Sequence, residues 1–112
     1  MLPTRGLFRK VTMSKKPSVF SEERECWLCH SPNVHRHHVC GGVGRRPISE
    51  QEGLWVYLCP AHHNMSDFGV HFDKSLDIAL KEQAQMKWEK REGLEGEEAH
   101  DAFRSIFGIS YL

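Results

Sequence analysis

Two short motifs decide the fold of this chain: Cys26-Trp27-Leu28-Cys29 and Cys59-Pro60-Ala61-His62. In each motif, two residues separate a pair of side chains that can bind metal, which is the spacing of a turn that holds two zinc ligands. Two such turns complete the tetrahedral sulfur and nitrogen shell of a structural Zn²⁺. We therefore predict that Cys26, Cys29, Cys59 and His62 hold a structural zinc ion.

Further histidines lie close to these motifs in the sequence. His35-Arg36-His37-His38 lies between the motifs, and His63 directly follows the second one. One zinc ion cannot use all of these imidazoles, so the surplus indicates a second, catalytic metal. The competing interpretation is that they are spare ligands of the structural zinc or ordinary packing residues. For His35, we expect simple exposure to solvent.

Length and composition limit the class of protein. The chain has 112 residues and a formal net charge of zero, which predicts one small domain whose core gains from a metal staple. Cys40 has no obvious partner, so the cysteines do not indicate a disulfide framework. No apolar run approaches the roughly 18 residues of a membrane span, and the first residues lack the apolar core of a secretory signal. We expect a cytoplasmic protein of a host cell, with no membrane partner.

Charge is distributed unevenly along the chain. Residues 1–20 contain five basic residues and no acid: Arg5, Arg9, Lys10, Lys15 and Lys16. We predict a flexible basic arm over residues 1–22 and a single domain over 23–112, of which 73–112 is helical. The arm suits a nucleic-acid backbone, although a soluble tail or an organelle transit segment would share its composition, and Met13 could be the true start.

The hydrophobic pattern predicts a small α+β protein. Residues 34–39 are expected to be extended, 40–47 to form a loop because of their glycines and proline, and 54–58 to form a strand. Asp73 can cap a helix that starts near Lys74. Gly93 and Gly96 should end it before a second helix over about 97–107, which stops at Gly108. The inward faces are predicted to be Leu76, Leu80, Ala84 and Trp88, then Ala99, Phe103 and Phe107.

These motifs together resemble the zinc-stapled branch of the HNH endonuclease superfamily, the ββα-metal nucleases. The resemblance rests on the first cysteine motif, a strand that ends in His37-His38-Val39, a loop, a second strand, and the second motif followed by His63. It covers residues 23–72, and the helical remainder looks like small HNH-like proteins of bacteriophages and prophages. The fold implied is a ββα-metal core with a structural zinc site and additional C-terminal helices.

The resemblance implies a role for each matching residue. His38 would be the general base that takes a proton from water, so that hydroxide attacks the scissile phosphorus. His37 and His63 would bind the catalytic divalent metal, with His71 as a third ligand. Arg45 and Arg46, in the loop, are candidate phosphate clamps. For His71 and the two arginines, a solvated loop position is an equally good interpretation.

One feature departs from the family. Many members have a middle Asn that keeps the base oriented, whereas this chain has Glu52-Gly53 near that position. Another group must therefore orient His38, and a backbone carbonyl is one candidate. Consecutive strand residues also point to opposite faces, so His37 and His38 could serve one site only at a strand end or bend.

The resulting expectation is a metal-dependent endonuclease that hydrolyses DNA and is encoded by a phage or mobile element. Its second metal could be Mg²⁺, Mn²⁺, Ni²⁺ or Zn²⁺, and an all-imidazole site favours ions softer than Mg²⁺. A homodimer remains open, because one compact site nicks a single strand. Two alternatives remain: a non-cleaving zinc-containing nucleic-acid-binding module, and a zinc-stabilised protein–protein adaptor.

Overall fold

Two short strands form an antiparallel sheet in the computed structural model, which describes residues 15–40, 45–63, 69–70 and 73–112. Strand β1 spans His35–His38 and strand β2 spans Trp55–Leu58, as the sequence predicted within a residue or two at each end. His35 lies opposite Leu58, and His38 lies opposite Trp55. Because strand side chains alternate, His35 and His37 share one face of the sheet, while Arg36 and His38 share the other.

Four helices accompany the sheet in the described part of the chain. Their bounds are α1 at Arg46–Glu52, α2 at Pro60–His63, α3 at Lys74–Arg91 and α4 at Gly96–Phe107. The predicted α+β class is therefore confirmed. None of these described helices combines the length and hydrophobicity needed to cross a bilayer.

Helix α1 corrects the prediction of one long loop between the strands. Pro47 was interpreted as a helix breaker, but it lies at the first turn of α1, where a missing N–H group costs nothing. Gly53 ends the helix with a φ of 80°, and its N–H group donates to the carbonyl of Ser49. The glycines of the predicted loop, at 41, 42 and 44, lie outside the described residues.

The two C-terminal helices follow the sequence closely. The Asp73 carboxylate accepts hydrogen bonds from the N–H groups of Ser75 (2.9 Å) and Leu76 (3.3 Å), which confirms the predicted cap. Gly93 and Gly108 have φ values of 74° and 83°, as expected for residues that end helices. Six of the seven predicted inward residues are buried, and the seventh, Leu76, is partly buried.

An aromatic and aliphatic core joins the sheet to the helices. Phe103 and Phe107 stack with ring centroids 4.5 Å apart, and Trp88 packs edge-on against Phe103 at 5.4 Å. The buried side chains from the sheet side of this core are Val34, Val39, Leu54, Val56 and Leu58. Burial of these groups from water is the main stabilising term for such a small domain.

A buried polar network fastens the C-terminal residues to α3. The side chain of Gln85 is fully buried and donates to Glu89 (2.8 Å) and to Ser110 (2.9 Å). Its amide oxygen accepts from the N–H group of Tyr111 at 2.6 Å. His100 of α4 lies 2.8 Å from the same Glu89 carboxylate. Because these buried groups are satisfied by one another, the network fixes how α3, α4 and the last residues pack.

The last part of the predicted arm lies against the domain. Residues 1–14 of the predicted arm lie outside the described residues. Further on, the N–H groups of Lys16 and Val19 donate to the carbonyls of Gln51 and Gly53, each at 2.9 Å. The Ser18 hydroxyl donates to the carbonyl of Trp55 at 2.6 Å. This segment therefore covers the end of α1 and the start of β2.

A substitution at Gly53 tests how much the packing of residues 16–19 on the domain depends on the close approach of the Pro17 backbone to Gly53. A Cβ atom at Gly53 would lie 2.0 Å from the carbonyl oxygen of Pro17, whereas a Cβ at Gly93 would meet nothing within 4 Å. Both residues have positive φ, so Gly93→Ala should lower the free energy of unfolding by about 1 kcal/mol from backbone strain alone. Gly53→Ala should cost at least about 2 kcal/mol more, because residues 16–19 must move.

Urea denaturation of the two zinc-loaded variants measures this difference. Equal losses of stability would mean that the approach of Pro17 to Gly53 does not contribute to the folded state.

Candidate functional site

The four predicted zinc ligands converge on one point. The ligand atoms of Cys26, Cys29, Cys59 and His62 all lie within 4.8 Å of one another. Sulfur to Nδ1 distances are 3.6 Å from Cys26 to His62 and 3.2 Å from Cys59 to His62, and the Cys29 and Cys59 sulfurs are 3.6 Å apart. Tetrahedral zinc would give edges of about 3.6–3.8 Å from its usual bond lengths. The set is therefore close enough to bind a metal ion, consistent with structural zinc.

Backbone hydrogen bonds shape both halves of this site. The N–H group of His30 donates to the carbonyl of Cys26 (2.8 Å), which closes the first turn, and His30 itself has a φ of 66°. The N–H group of Trp27 donates to the carbonyl of Tyr57 at 2.9 Å, which joins this turn to β2. In the second half, the N–H of His63 donates to the carbonyl of Cys59 at 2.9 Å, at the start of α2.

The electrostatics of the turn favour a thiolate at Cys26. Burial raises the pKa of this thiol, but hydrogen bonds from the backbone N–H groups of Cys59, Leu28 and Cys29 outweigh that effect and lower the pKa to about 6. A thiolate is the form that binds zinc. Cys40 is the contrasting case, because burial raises its pKa to about 11. All four cysteines are free of disulfides, and only Cys40 lies outside the ligand set.

Apart from the zinc ligands, a cluster of three imidazoles lies on one face of β1. We call His35, His37 and His63 the histidine cluster. The ring of His63 contacts both strand histidines edge-on, with centroids 5.4 Å from His35 and 5.3 Å from His37. The Nδ1 atoms of His35 and His63 are 3.3 Å apart. His37 is buried, with 6% of its surface exposed, whereas His35 is exposed.

The opposite face of β1 carries His38 in a different environment. Its Nε2 atom lies 2.7 Å from the carboxylate of Glu50, a residue of α1. Arg36 forms an ion pair with the same carboxylate and stacks on Trp55, with its guanidinium carbon 3.8 Å from the ring centroid. Lys15 lies 3.7 Å from Glu50. We call Arg36, His38 and Glu50 the carboxylate cluster.

Glu50 is held in its ionised form by these neighbours. Partial burial raises the pKa of the carboxyl group, but the hydrogen bond from His38 and the positive charge of Arg36 outweigh it, so the net pKa is lowered. An ionised carboxylate beside an imidazole selects one tautomer, with Nε2 protonated and Nδ1 left as the acceptor. Glu50 therefore helps to orient the ring of His38.

A cleft adjoins the carboxylate cluster. It has a volume of about 270 Å³, and it is lined by Lys15, Lys16, Pro17, Glu22, Arg36, Glu50 and Trp55. Lys15 and Arg36 thus lie at the carboxylate that contacts His38, whereas Lys16 pairs with Glu52 and Glu92. A cleft with this lining can accept an anionic group such as a phosphate, provided that Glu22 and Glu50 are compensated by the cations.

The other residues predicted for the site are Arg45, Arg46 and His71, and none of them is among the residues of the two clusters. Arg45 precedes α1 and directs its guanidinium towards the end of α4, where a Cβ at Gly108 would lie 3.1 Å from it. This position beside helix carbonyls suits a cation. Arg46 is the first residue of α1 and is exposed. His71 lies outside the described residues, so its predicted role as a third metal ligand stays a prediction.

Sequence reasoning missed three residues of these clusters: His35, Arg36 and Glu50. Glu50 was not selected, because it lies in a segment predicted to be a loop and is far from His38 in sequence. Pro47 could have indicated the start of a helix, and that helix would have carried Glu50. His35 was expected to be merely exposed, although its position two residues before His37 predicts that both share one face.

Comparisons with known proteins give no relative: no family model, no curated protein and no solved structure matches this chain. Its class therefore follows from the geometry alone. The fold and the site define a small α+β protein with a Cys₃His set that can bind a metal ion.

The Cys₃His set predicts one firmly bound metal per chain. Cys29→Ala should abolish stoichiometric zinc binding, since one of four ligands is removed. Cys40→Ala is the matched control: it also removes a thiol but should keep one zinc per chain. Metal content by plasma mass spectrometry after dialysis gives the stoichiometry. Full zinc retention in Cys29→Ala would contradict the assignment of this residue as a ligand.

Glu50 predicts a pH-dependent contribution to stability. Because its pKa is lower in the folded state, ionised Glu50 stabilises the protein fully above its unfolded pKa, about 4.3 for glutamate. That contribution is lost as pH falls through the lower folded pKa. Glu50→Gln should therefore be less stable than wild type at pH 7, and the difference should shrink towards pH 3.

Denaturation of both proteins across this pH range gives the difference directly. Taking the difference also cancels the loss of zinc at low pH, which affects both proteins alike. A difference that stays constant with pH would mean that the charge of Glu50 is not involved.

Proposed function

We propose that this protein is a metal-dependent endonuclease that hydrolyses DNA, with a zinc-stapled ββα-metal core of the HNH type and additional C-terminal helices. The observation that carries the proposal is the contact of 2.7 Å between His38 Nε2 and the Glu50 carboxylate. It leaves Nδ1 of a partly exposed histidine as a proton acceptor, beside a cleft with three cations. A phage or mobile-element origin goes with this proposal.

His38 acts as the general base in the proposed reaction. Its Nδ1 atom takes a proton from the water that attacks phosphorus, and imidazole does this efficiently near pH 7. Glu50 stabilises the imidazolium that forms and keeps the ring in one orientation. Arg36 in turn neutralises Glu50, so that the carboxylate stays ionised and does not repel the phosphate.

The histidine cluster is the proposed site of the second metal. His37 and His63 would hold a divalent cation, which supplies Lewis-acid stabilisation of the charge on the phosphate and the leaving oxygen. Imidazole donors favour Zn²⁺, Ni²⁺ or Mn²⁺-like ions over Mg²⁺. His38 is the last residue of β1. The scissile phosphate must therefore bind across this strand end, the place from which both faces of β1 can be reached.

Cationic side chains support DNA as the substrate. Lys15, Lys16 and Arg36 line the cleft beside Glu50, and the basic residues 5, 9 and 10 precede them in the sequence. Such contacts neutralise backbone phosphates without reading base sequence. Each compact site would nick one strand, so cutting both strands would need two nicking events or a homodimer.

A non-cleaving nucleic-acid-binding module is the second candidate. It is favoured by the alternation of β1, which directs His37 to the histidine cluster and His38 to the carboxylate cluster on the opposite face. If no phosphate can bridge the strand end, the cationic cleft would bind the backbone without hydrolysis.

Plasmid nicking at low salt separates the two candidates. Zinc-loaded protein is incubated with supercoiled plasmid and Mg²⁺, Mn²⁺, Ni²⁺ or EDTA. We expect metal-dependent conversion to open circles, slowed by about 10²–10⁴ in His38→Ala. Glu50→Gln should slow nicking less, because His38 is kept while the carboxylate that stabilises its imidazolium is lost.

His30→Asn is the matched control. It removes an exposed imidazole near the zinc ligands, and Asn tolerates the positive φ of this position. This variant should nick like the wild type. If folded, zinc-loaded wild type binds DNA but never nicks with any metal, the enzyme proposal fails and the binding module takes its place.

A further inference from the structure

One contact within the histidine cluster involves a residue that the metal assignment above does not use. Nδ1 of His35 lies 3.3 Å from Nδ1 of His63. The two residues come from different elements, β1 and α2, and are 28 positions apart in the chain. Such a convergence of two imidazole nitrogens is either a hydrogen bond between neutral rings or a pair of ligand positions.

The distance suits shared coordination of one ion. With zinc–nitrogen bonds of about 2.0–2.1 Å, two ligands on a tetrahedral ion are separated by about 3.3–3.4 Å. The rings meet at 73°, with both Nδ1 atoms directed towards the same region. A nitrogen–nitrogen hydrogen bond would in addition require one ring to carry its proton on Nδ1 and the other to carry it on Nε2.

Helix α2 separates this pair from the structural zinc. His62 directs Nδ1 at the sulfurs of Cys26 and Cys59, at 3.6 and 3.2 Å. His63, the next residue, is rotated by about 100° around the helix axis, and its ring contacts His35 and His37 on β1 instead. Two neighbouring histidines therefore contact two different groups of residues.

We propose that His35 and His63 together bind a second divalent cation of the class that prefers imidazole, such as Ni²⁺ or Zn²⁺. His37, which shares this ion in the proposed function, contacts the ring of His63 from its buried position on β1. His35 is exposed, so the ion is reached from solvent and keeps positions open for water or an anionic oxygen. As the catalytic metal site, this assignment rests on the proposed function; as a binding site, it is independent of cleavage.

Equilibrium dialysis of zinc-loaded protein against Ni²⁺ tests the site, with zinc and nickel per chain counted by plasma mass spectrometry. Wild type should hold one zinc and one nickel. His35→Ala and His35→Gln should keep the zinc but bind nickel at least about tenfold more weakly. Mutating a residue that only supports a metal ligand already weakens metal binding about tenfold, so the loss of a ligand itself should cost at least as much. Retained zinc and an unchanged far-ultraviolet circular dichroism spectrum show that the variants are folded.

His30→Asn is again the control, because it removes an exposed imidazole that lies outside the histidine cluster. It should bind nickel like the wild type. Nickel binding that is unchanged in both His35 variants overturns the proposal. So does a wild type that holds no nickel, in which case the 3.3 Å contact is a hydrogen bond only.

The same preparations, assayed for plasmid nicking, keep this inference separate from the proposed function. Nickel bound through His35 by a protein that never nicks would support the metal site and end the nuclease proposal. If the protein nicks plasmid but its nickel binding is unchanged by the His35 substitutions, the nuclease proposal is supported and this metal site is overturned.

Discussion

The structure depends on the convergence of three sulfurs and one imidazole nitrogen, which all lie within 4.8 Å of one another. The ligands come from the turn at residues 26–29 and from the junction of β2 with α2. Joining these two places fixes the direction in which the chain leaves β2, and it therefore fixes His63 beside β1. A domain of this size has a small core, so a constraint that closes a loop of more than 30 residues has a large effect on stability.

The second constraint is the alternation of side chains along β1. Four consecutive residues, His35–His38, are divided between two faces. One face presents imidazoles to α2, and the other presents Arg36 and His38 to Glu50 of α1. The strand thus separates the histidine cluster from the carboxylate cluster by the thickness of one backbone. The proposed reaction, which would use both clusters, therefore has to occur at the end of the strand, where that separation is smallest.

The helical part of the chain supports the carboxylate cluster from behind. Glu52, at the end of α1, accepts hydrogen bonds from Lys16 (2.7 Å) and from the indole of Trp88 (3.1 Å). Arg91 donates to the backbone carbonyl of Glu52 at 2.6 Å. These contacts fasten α1 to α3, and Glu50 lies on α1. A rigid support of this kind holds a charged pair in place without requiring the charged residues themselves to be buried.

The sequence by itself determined the metal ligands, both strands and the two long helices, because local spacing encodes each of them. Ligand pairs separated by two residues make a turn, alternation makes a strand, and recurrence every three or four residues makes a helix. Only the tertiary structure decided which histidine meets which partner. His38 finds Glu50, and His35 meets His63, through the packing of α1 and α2 on β1. Such contacts depend on where a helix docks, and no local pattern carries that information. Glu52 contacts Trp88, and the carboxylate that contacts His38 belongs to Glu50, two residues earlier on the same helix.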